Sequence, residues 1–257
     1  MVRSRVPRRI LGVIPARYAS SRFPGKALAR LHSHTLLEHV YRRASAARTL
    51  TEIVIATDDA RIFDEARRFG APVRMTSGSH ASGTDRVAEV AAAHDADLVV
   101  NIQGDEPLLD PAAIDAAVEA IADQSSVPMA TLKKRIQDPR EARDSNVVKV
   151  VTDLAGNALY FSRSPIPLAR DGGEVICYKH IGLYVYRREF LLRYSSLPVG
   201  PLERAEKLEQ LRALENGFVI RVAETRYDSM GVDTPEDLER AAARLELYAA
   251  VKDGVGA

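Results

Sequence analysis

Three cationic side chains stand close together near the start of the chain, in the segment 15–26. Arg17, Arg22 and Lys26 are separated there by small residues, proline and glycine. Backbone N–H groups of such a segment can approach a ligand closely, and Arg and Lys side chains bind phosphate oxygens. The segment directly follows the apolar run 10–14, and ligands of α/β proteins bind beyond the carboxyl ends of strands. We therefore predict a triphosphate site rather than a merely solvated basic loop.

Two adjacent carboxylates follow another apolar run, 98–102. Asp105 and Glu106 come soon after its end, so we expect them at the same sheet edge as the cationic segment. Mg²⁺ takes oxygen ligands and usually binds through one or two carboxylates together with substrate phosphates. Asp105 is the better candidate ligand, whereas Glu106 could equally face solvent or cap a turn.

A separate acid, Asp233, precedes the last helical pattern of the chain. Its local position leaves two roles open. It could favour the positive end of that helix. If the chain folds back so that Asp233 faces Asp105, the two carboxylates would instead hold a metal between phosphate and nucleophile.

A polar segment rich in hydroxyl groups, 75–86, leads into another helical pattern. Ser82 or Thr84 is a plausible helix N-cap there. The hydroxyl groups and exposed backbone also suit hydrogen bonds to the edge of a base, although the spacing does not name the base. His80 is expected to be a structural or surface residue rather than a catalytic one.

The composition excludes several classes of protein. The 257 residues, 46% hydrophobic and 28% charged, suit one large α/β domain. A net charge of +1 argues against a nucleic-acid or membrane partner. No dinucleotide-binding, P-loop, serine-hydrolase or zinc-protease motif occurs. The single cysteine, Cys177, excludes an internal disulfide, and no run reaches the roughly 20 apolar residues that span a bilayer, so we predict a cytoplasmic protein.

The elements that must position these side chains follow from hydrophobic periodicity. The first half alternates short apolar runs with helical spacing, which indicates βαβ units around a parallel sheet. The predicted strands there are 10–14, 52–56, 72–75 and 98–102, and the predicted helices are 35–47, 59–69, 84–94 and 111–123. Beyond about residue 126 we predict strands at 147–152, 158–161, 177–186 and 218–223, a helix at 202–215 and a closing helix that opens at 234–236. This second region indicates a more mixed, partly antiparallel arrangement.

With these loops in hand, the chain closely resembles the 3-deoxy-manno-octulosonate cytidylyltransferases, also called CMP-Kdo synthetases. The resemblance spans about residues 10–245. It rests on the motifs Pro15-Ala16-Arg17 with Arg22-x-Pro24-Gly25-Lys26, Ala56-Thr57-Asp58, Ser79-His80-x-Ser82-Gly83-Thr84-Asp85-Arg86, Gln103-Gly104-Asp105-Glu106-Pro107, Ser162-Arg163, His180-Ile181-Gly182-x-Tyr184, Leu208-Glu209-Gln210-Leu211-Arg212 and Gly231-Val232-Asp233-Thr234-Pro235-Glu236-Asp237. The first and fourth motifs occur in looser form in many sugar nucleotidyltransferases, whereas Ser-Gly-Thr-Asp-Arg, His-Ile-Gly and Glu-Gln-Leu-Arg are more specific.

The resemblance implies a fold, an activity and an assembly. The implied fold is a Rossmann-like nucleotidyltransferase fold in the α/β class, with a mostly parallel central sheet and a smaller mixed β-rich lobe for sugar binding and dimerisation. The implied reaction is CTP plus Kdo giving CMP-Kdo and pyrophosphate for lipopolysaccharide synthesis, with Mg²⁺ and in a homodimer. We accordingly expect a single domain over 1–257, with a nucleotide-binding half at about 10–125, the sugar and dimer lobe at about 126–230 and a closing helix at 231–248.

The resemblance also implies roles for individual residues. The triphosphate would be bound by Arg17, Ser21, Arg22 and Lys26, and the nucleotide side would be formed by Thr57, Asp58, Thr76, Ser82, Gly83 and Arg86. The sugar-acid pocket would contain Gln103, Arg163, His180, Glu209 and Gln210. Asp105 and Asp233 would be the metal ligands and, with Arg17 and Lys26, the catalytic residues.

Two other hypotheses stay open from the sequence. The chain could be a cytidylyltransferase for a neighbouring acid, such as 8-amino-Kdo or a sialic acid, which a substrate panel would distinguish. It could also be a nucleotide-binding regulator that kept the fold without turnover. The cationic segment and both candidate acids are present, which disfavours the regulator.

Overall fold

The structure, a computed structural model, describes residues 9–19, 22–173 and 175–254, with the backbone alone for 248–254. Its strands are β1 (Ile10–Ala16), β2 (Arg30–Leu31), β3 (His34–Thr35), β4 (Glu52–Thr57), β5 (Val73–Met75), β6 (Leu98–Asn101), β7 (Met129–Arg135), β8 (Lys149–Thr152), β9 (Ala158–Ser162), β10 (Tyr178–Arg187) and β11 (Ile220–Glu224). Its helices are α1 (Leu36–Ala44), α2 (Ala60–Arg68), α3 (Gly83–Ala92), α4 (Pro111–Ala122), α5 (Pro139–Arg143), α6 (Arg188–Tyr194), α7 (Pro201–Glu206), α8 (Leu211–Glu215) and α9 (Pro235–Gly254). Within the described part of the chain, no helix is both long and apolar enough to cross a membrane.

The chain divides into two compact units. Of the described residues, the first unit comprises 11–19, 22–94, 101–111 and 229–254, and the second comprises 9–10, 95–100, 112–173 and 175–228. The class is α/β with a mostly parallel central sheet, which confirms the predicted fold class. The expectation of a single domain over the whole chain stays a prediction.

The first unit contains the parallel strands that the sequence predicts. Strands β1, β4 and β5 lie in that order, with Val13 opposite Val54 and Ala56 opposite Arg74. Side-chain caps begin the helices that follow these strands: Thr35 accepts a hydrogen bond from the N–H of Glu38 at α1, and Asp59 caps α2. These strand-to-helix junctions place loops beyond the carboxyl ends of the strands.

Helix α9 is held in the first unit by an apolar cluster. Leu31, Leu36, Val232 and Ala241 are buried together, and Phe23, Met230, Leu238, Ala242 and Leu245 pack against them. Burial of such side chains contributes on the order of 1.5–3 kcal/mol each relative to exposure. This packing fixes the segment just before α9, which carries Asp233.

The second unit contains both parallel and antiparallel strand pairs, as its sequence predicts. Its strand order is β11-β7-β10-β6, with β8 paired to β10 and to β9. Strand β7 runs parallel to β11 and antiparallel to β10. The β7–β10 register shifts between Ile181 and Val185, so the ladder is irregular beside Gly182.

Several elements of the second unit differ from the sequence prediction, and the short helices α5 and α6 are among those that were not predicted. The helix predicted over 202–215 is two helices, α7 and α8, because Lys207 adopts a left-handed conformation (φ 55°) that ends the first of them. Strand β7 was not predicted, because its buried apolar part is short and three basic residues follow it. Its place is determined by pairing with two distant strands, which no local pattern shows.

The loop after β6 approaches β1 closely at Gly104, and this contact yields a stability prediction. A Cβ at position 104 would lie 2.8 Å from the carbonyl oxygen of Pro15, closer than real Cβ contacts. Because backbone must then move, we expect Gly104→Ala to lower the free energy of unfolding by about 1–3 kcal/mol in urea titrations.

Gly173→Ala is the matched control. A Cβ at Gly173 meets nothing within 4 Å among the described residues. Its effect should stay below about 0.5 kcal/mol. Equal stability of the two variants would contradict the close-approach argument.

Candidate functional site

A cavity of about 560 Å³ lies in the first unit, in the size range of small-molecule sites. Its lining includes most of the predicted phosphate and metal residues: Arg17, Arg22, Lys26, Asp105 and Asp233, together with Ser82, Gly83, Arg86 and Gln103. Segments far apart in sequence therefore meet at one cavity. Ser21, also predicted here, lies outside the described residues.

Lys26 is the central cation of this cavity. Its Nζ donates to Asp105 Oδ2 at 2.7 Å, to Asp233 Oδ1 at 2.9 Å and to the carbonyl oxygen of Val232 at 3.1 Å. Burial acts to lower the pKa of Lys26, but the Asp105 and Asp233 carboxylates outweigh it and raise that pKa above its ordinary value. The side chain is therefore held as an ammonium ion between two carboxylates.

The chain folds back in the way that one of the two roles considered for Asp233 requires. A backbone hydrogen bond of 2.9 Å from Val232 N to Asp105 O joins the two segments. Thr234 rather than Asp233 caps α9, because its Oγ1 accepts the N–H of Asp237, whose Oδ2 in turn accepts the N–H groups of Asp233 and Thr234. The carboxylate of Asp233 is thereby left to bind Lys26 and Arg22, whose guanidinium lies 2.7 Å away.

This donor set suits a hard divalent cation. Two carboxylates already converge on one positive nitrogen, and Mg²⁺ commonly binds through one or two carboxylates together with phosphate oxygens. In the described part of the chain, no group of three or more His, Cys, Asp and Glu side chains is arranged to hold a metal. The pair thus fits a cation whose other ligands come from a bound phosphate and water, and Glu106, which is buried, need not take part.

Arg86 organises the predicted nucleotide side of the first unit. It is buried, and its guanidinium lies 3.0 Å from Asp58 Oδ2 and donates to Thr76 Oγ1. Thr76 in turn donates from N and Oγ1 to the carbonyl oxygen of Thr57. These four residues form one connected polar cluster, which only the fold brings together.

The polar segment before α3 caps that helix and also lines part of the cavity. Ser82 caps α3 in a reciprocal capping box with Asp85, so the N-cap reading of Ser82 is confirmed. His80 lines the cavity, and its Nε2 lies 2.5 Å from Glu89 Oε2. The Ser77 N–H and His80 together lower the pKa of Glu89. Sequence reasoning did not place His80 at the cavity, because its partner Glu89 lies nearly two turns into α3.

Most of the residues predicted for a sugar acid lie in the second unit, whereas Gln103 belongs to the first. In the second unit, Arg163 is anchored by two neutral carbonyl groups. Its Nε donates to Glu206 O at 2.8 Å, and its NH1 donates to Ser145 O at 2.9 Å. These bonds use two of the five guanidinium N–H groups. Arg163 is therefore held in place beside Glu206, whose Oε2 accepts its backbone N–H, and its remaining guanidinium N–H groups are donors for a ligand.

His180 stands in an aromatic row on β10. Its ring contacts Phe161 edge-on at 5.0 Å and Tyr184 at 5.4 Å. Burial lowers the pKa of His180 to about 3, so the ring is neutral at pH 7. Burial, with Tyr194 and Glu209 nearby, raises the pKa of Tyr184, which places the predicted residue Glu209 close to this row. Tyr184 is a further candidate for the sugar-acid site, and it was not among the residues predicted for that site.

Gln210 carries an unsatisfied buried donor. The residue is 4% exposed, and its Nε2 has no hydrogen-bond partner among the described residues. An unsatisfied buried amide donor costs about 1–3 kcal/mol. A ligand oxygen at this point would remove that cost.

Comparison with known proteins agrees with this geometry. The cytidylyltransferase family model matches residues 11–225. A 3-deoxy-manno-octulosonate cytidylyltransferase of Solibacter usitatus is 64% identical over 98% of this chain and 99% of its own length. A solved CMP:2-keto-3-deoxy-manno-octonic acid synthetase complexed with CTP is 41% identical, covers 93% of this chain and 99% of its own, and superposes with a TM-score of 0.90. A glucose-1-phosphate thymidylyltransferase of Bacillus anthracis, 18% identical with a TM-score of 0.63 over 91% of this chain and 94% of its own, shares the fold.

The parallel strands, the cation-rich loop after β1 and the acids after β6 define a nucleotidyltransferase of the cytidylyltransferase class. Within that class, the chain belongs to the 3-deoxy-manno-octulosonate cytidylyltransferase family. The resemblance drawn from the sequence motifs is confirmed.

The neutral state of His180 makes a prediction about acid stability. Its pKa of about 3 in the folded chain lies below the ordinary value of about 6.5 expected after unfolding. Between these values the unfolded chain binds more protons, so stability must fall as the pH falls through this window. We expect wild type to lose on the order of 1 kcal/mol more than His180→Gln between pH 7 and pH 5.

Urea unfolding of both proteins at the two pH values measures this difference. All other titrating groups are shared, so they cancel in the comparison. An equal loss in both proteins would contradict a depressed pKa for His180.

Proposed function

We propose that this protein transfers CMP from CTP to Kdo, giving CMP-Kdo and pyrophosphate, and so activates the sugar acid for lipopolysaccharide synthesis. The main observation behind this proposal is that Lys26, Asp105 and Asp233 meet in a cavity that Arg17 and Arg22 also line. Its closely similar relatives bear the name of this activity, and one solved relative is complexed with CTP. CTP is a cytoplasmic nucleotide, so we place the reaction in the cytoplasm.

The residues of the first unit bind the nucleotide in this proposal. Arg17, Arg22 and Lys26 neutralise the triphosphate, whose charge shifts towards pyrophosphate as the bond to the α-phosphorus breaks, and the neutral hydroxyl of Ser21 donates a hydrogen bond to it. The nucleoside is held by the cluster of Arg86, Asp58, Thr76 and Thr57, together with Ser82 and Gly83 from the cavity lining. Asp58 and Thr76 are already oriented by the guanidinium, so little ordering is needed when the nucleotide enters.

Asp105 and Asp233 hold Mg²⁺ in this proposal. When bound, the ion supplies positive charge to the phosphate oxygens and acidifies a nearby hydroxyl group. Arg22 and Lys26 bind the two carboxylates and hold them at the cavity. No separate side-chain base is required, and no covalent bond to the protein forms.

The sugar acid is recognised by Gln103, Arg163, His180, Glu209 and Gln210. Arg163 binds its carboxylate, because its guanidinium is fixed by carbonyl groups and retains its charge. Gln210 supplies a buried donor that lacks a partner among the described residues, and Glu209 accepts from hydroxyl groups. The anomeric hydroxyl of Kdo then attacks the α-phosphorus, and pyrophosphate leaves.

The central test is pyrophosphate release with purified protein, CTP, Kdo and Mg²⁺. We expect Asp105→Asn and Asp233→Asn each to lower kcat by at least about a hundredfold, because each removes a charge from the metal pair. Chelation of divalent ions should abolish turnover reversibly. Asp123→Asn, at an exposed position outside the cavity, is the matched control.

Three outcomes would contradict the proposal. Wild-type turnover in either carboxylate variant would remove the metal assignment. Preference for 8-amino-Kdo or a sialic acid in a panel with all four nucleotides would change the substrate. CTP binding without pyrophosphate release across that panel would point to a regulator.

We also propose that the protein acts as a homodimer through the second unit. The segment 154–176 exposes large apolar side chains, including Leu154, Leu159, Leu168 and Ile176, which a second copy would cover. Sedimentation velocity should give twice the chain mass for wild type and a shift towards monomer for a Leu154→Lys, Leu168→Lys double variant. A monomeric wild type would contradict the proposal.

A further inference from the structure

The ring of His180 is hydrogen-bonded to a buried threonine that the proposed reaction does not otherwise use. Thr131 lies on β7, is fully buried, and has its Oγ1 2.9 Å from His180 Nε2 on β10. Among the described residues, this is the hydrogen bond that the ring makes. The arrangement raises the question of which group donates the proton.

The groups around Thr131 identify the donor of this hydrogen bond. The same Oγ1 lies 3.0 Å from the carbonyl oxygen of Ile181 and 2.9 Å from that of Leu183. Carbonyl groups only accept, and a threonine hydroxyl has a single proton to donate. The β7–β10 ladder is irregular at this point, so the hydroxyl supplies a donor to the carbonyl groups of the bulge. His180 must therefore donate its Nε2–H to Thr131.

A neutral imidazole has one N–H, so donation from Nε2 leaves a lone pair on Nδ1. Burial favours the neutral ring. His180 itself is partly exposed, and Nδ1 is not among the buried polar atoms that lack a partner. Nδ1 is thus an accessible acceptor with no proton of its own.

We propose that Thr131 is a positioning residue that fixes His180 as its Nε2–H tautomer, so that Nδ1 accepts a hydrogen bond from a hydroxyl group of the sugar acid. The ligand part of this inference rests on the proposed function; the tautomer part does not. An acceptor cannot bind a carboxylate, so His180 selects a hydroxyl while Arg163 takes the carboxylate. Loss of the threonine hydroxyl would let the ring adopt either tautomer and weaken that selection.

Long-range ¹H–¹⁵N spectra of ¹⁵N-labelled protein test the tautomer directly, without substrate. The chain has six histidines, and the His180→Gln spectrum identifies the signals of His180 by their absence. We expect the Nε2–H pattern in wild type and in Thr131→Ser, and a mixed or Nδ1–H pattern in Thr131→Val. An Nδ1–H pattern in wild type, or an unchanged pattern in Thr131→Val, would overturn the inference.

Steady-state kinetics test the ligand part. Thr131→Val should raise KM for Kdo by about tenfold while KM for CTP changes little, because one ligand hydrogen bond is lost. Thr131→Ser should restore the wild-type KM for Kdo, which a volume effect at this position would not. Thermal unfolding of both variants identifies any loss of fold, and Thr131→Ser keeps the test valid if the valine variant is unstable.

The two parts fail separately. If wild type shows the Nε2–H pattern but does not turn over Kdo, the proposed function is wrong and the tautomer assignment stands. If Kdo is turned over and Thr131→Val changes the tautomer without raising KM for Kdo, the hydroxyl contact is overturned.

Discussion

One ammonium group connects the parts of the first unit on which its site depends. Lys26 Nζ joins the loop after β1 to Asp105, which follows β6, and to Asp233, which precedes α9. Two carboxylates so close together would repel each other without a cation between them. Because the group is only partly buried, its worth in stability is modest, and its main effect is to hold two acids at one point. A site for a metal and a polyphosphate needs that arrangement before either ligand arrives.

Other contacts of the first unit serve the same arrangement. Thr234 and Asp237 cap the start of α9 reciprocally, which leaves Asp233 free of a capping role. Gly104 lets the loop that carries Asp105 pass close to the carbonyl of Pro15. Arg86 orients Asp58 and Thr76, because its buried guanidinium pairs with the carboxylate of Asp58 and donates to the hydroxyl of Thr76. Although the net charge of the chain is close to zero, several oppositely charged side chains are therefore paired at this site.

Neutral carbonyl groups orient two cationic side chains of the second unit, Lys149 and Arg163. Lys149 is fully buried and donates to the carbonyl oxygens of Asp144, Val147 and Arg163. Arg163 donates to carbonyl groups in turn, and burial lowers the pKa of Lys149. Arg163 also lies beside a carboxylate, because Glu206 Oε2 accepts its backbone N–H, and its remaining guanidinium N–H groups are donors for a second carboxylate. The hydroxyl of Thr131 acts comparably on His180, by orienting a neutral ring.

The sequence alone determined the class of the fold, the family and most of the strands and helices of the first half. Those features depend on local periodicity and on motifs such as Ser82 to Arg86, whose residues are neighbours in the chain. Only the tertiary structure decided that Asp233 meets Asp105 at Lys26, that the segment 202–215 is two helices, and that β7 brings Thr131 to His180. The first and third of these outcomes depend on contacts between residues 207 and 49 positions apart, whereas the helix break depends on the left-handed backbone of Lys207. Hydrophobic spacing does not encode such contacts; packing and hydrogen-bond satisfaction select them once the chain has folded.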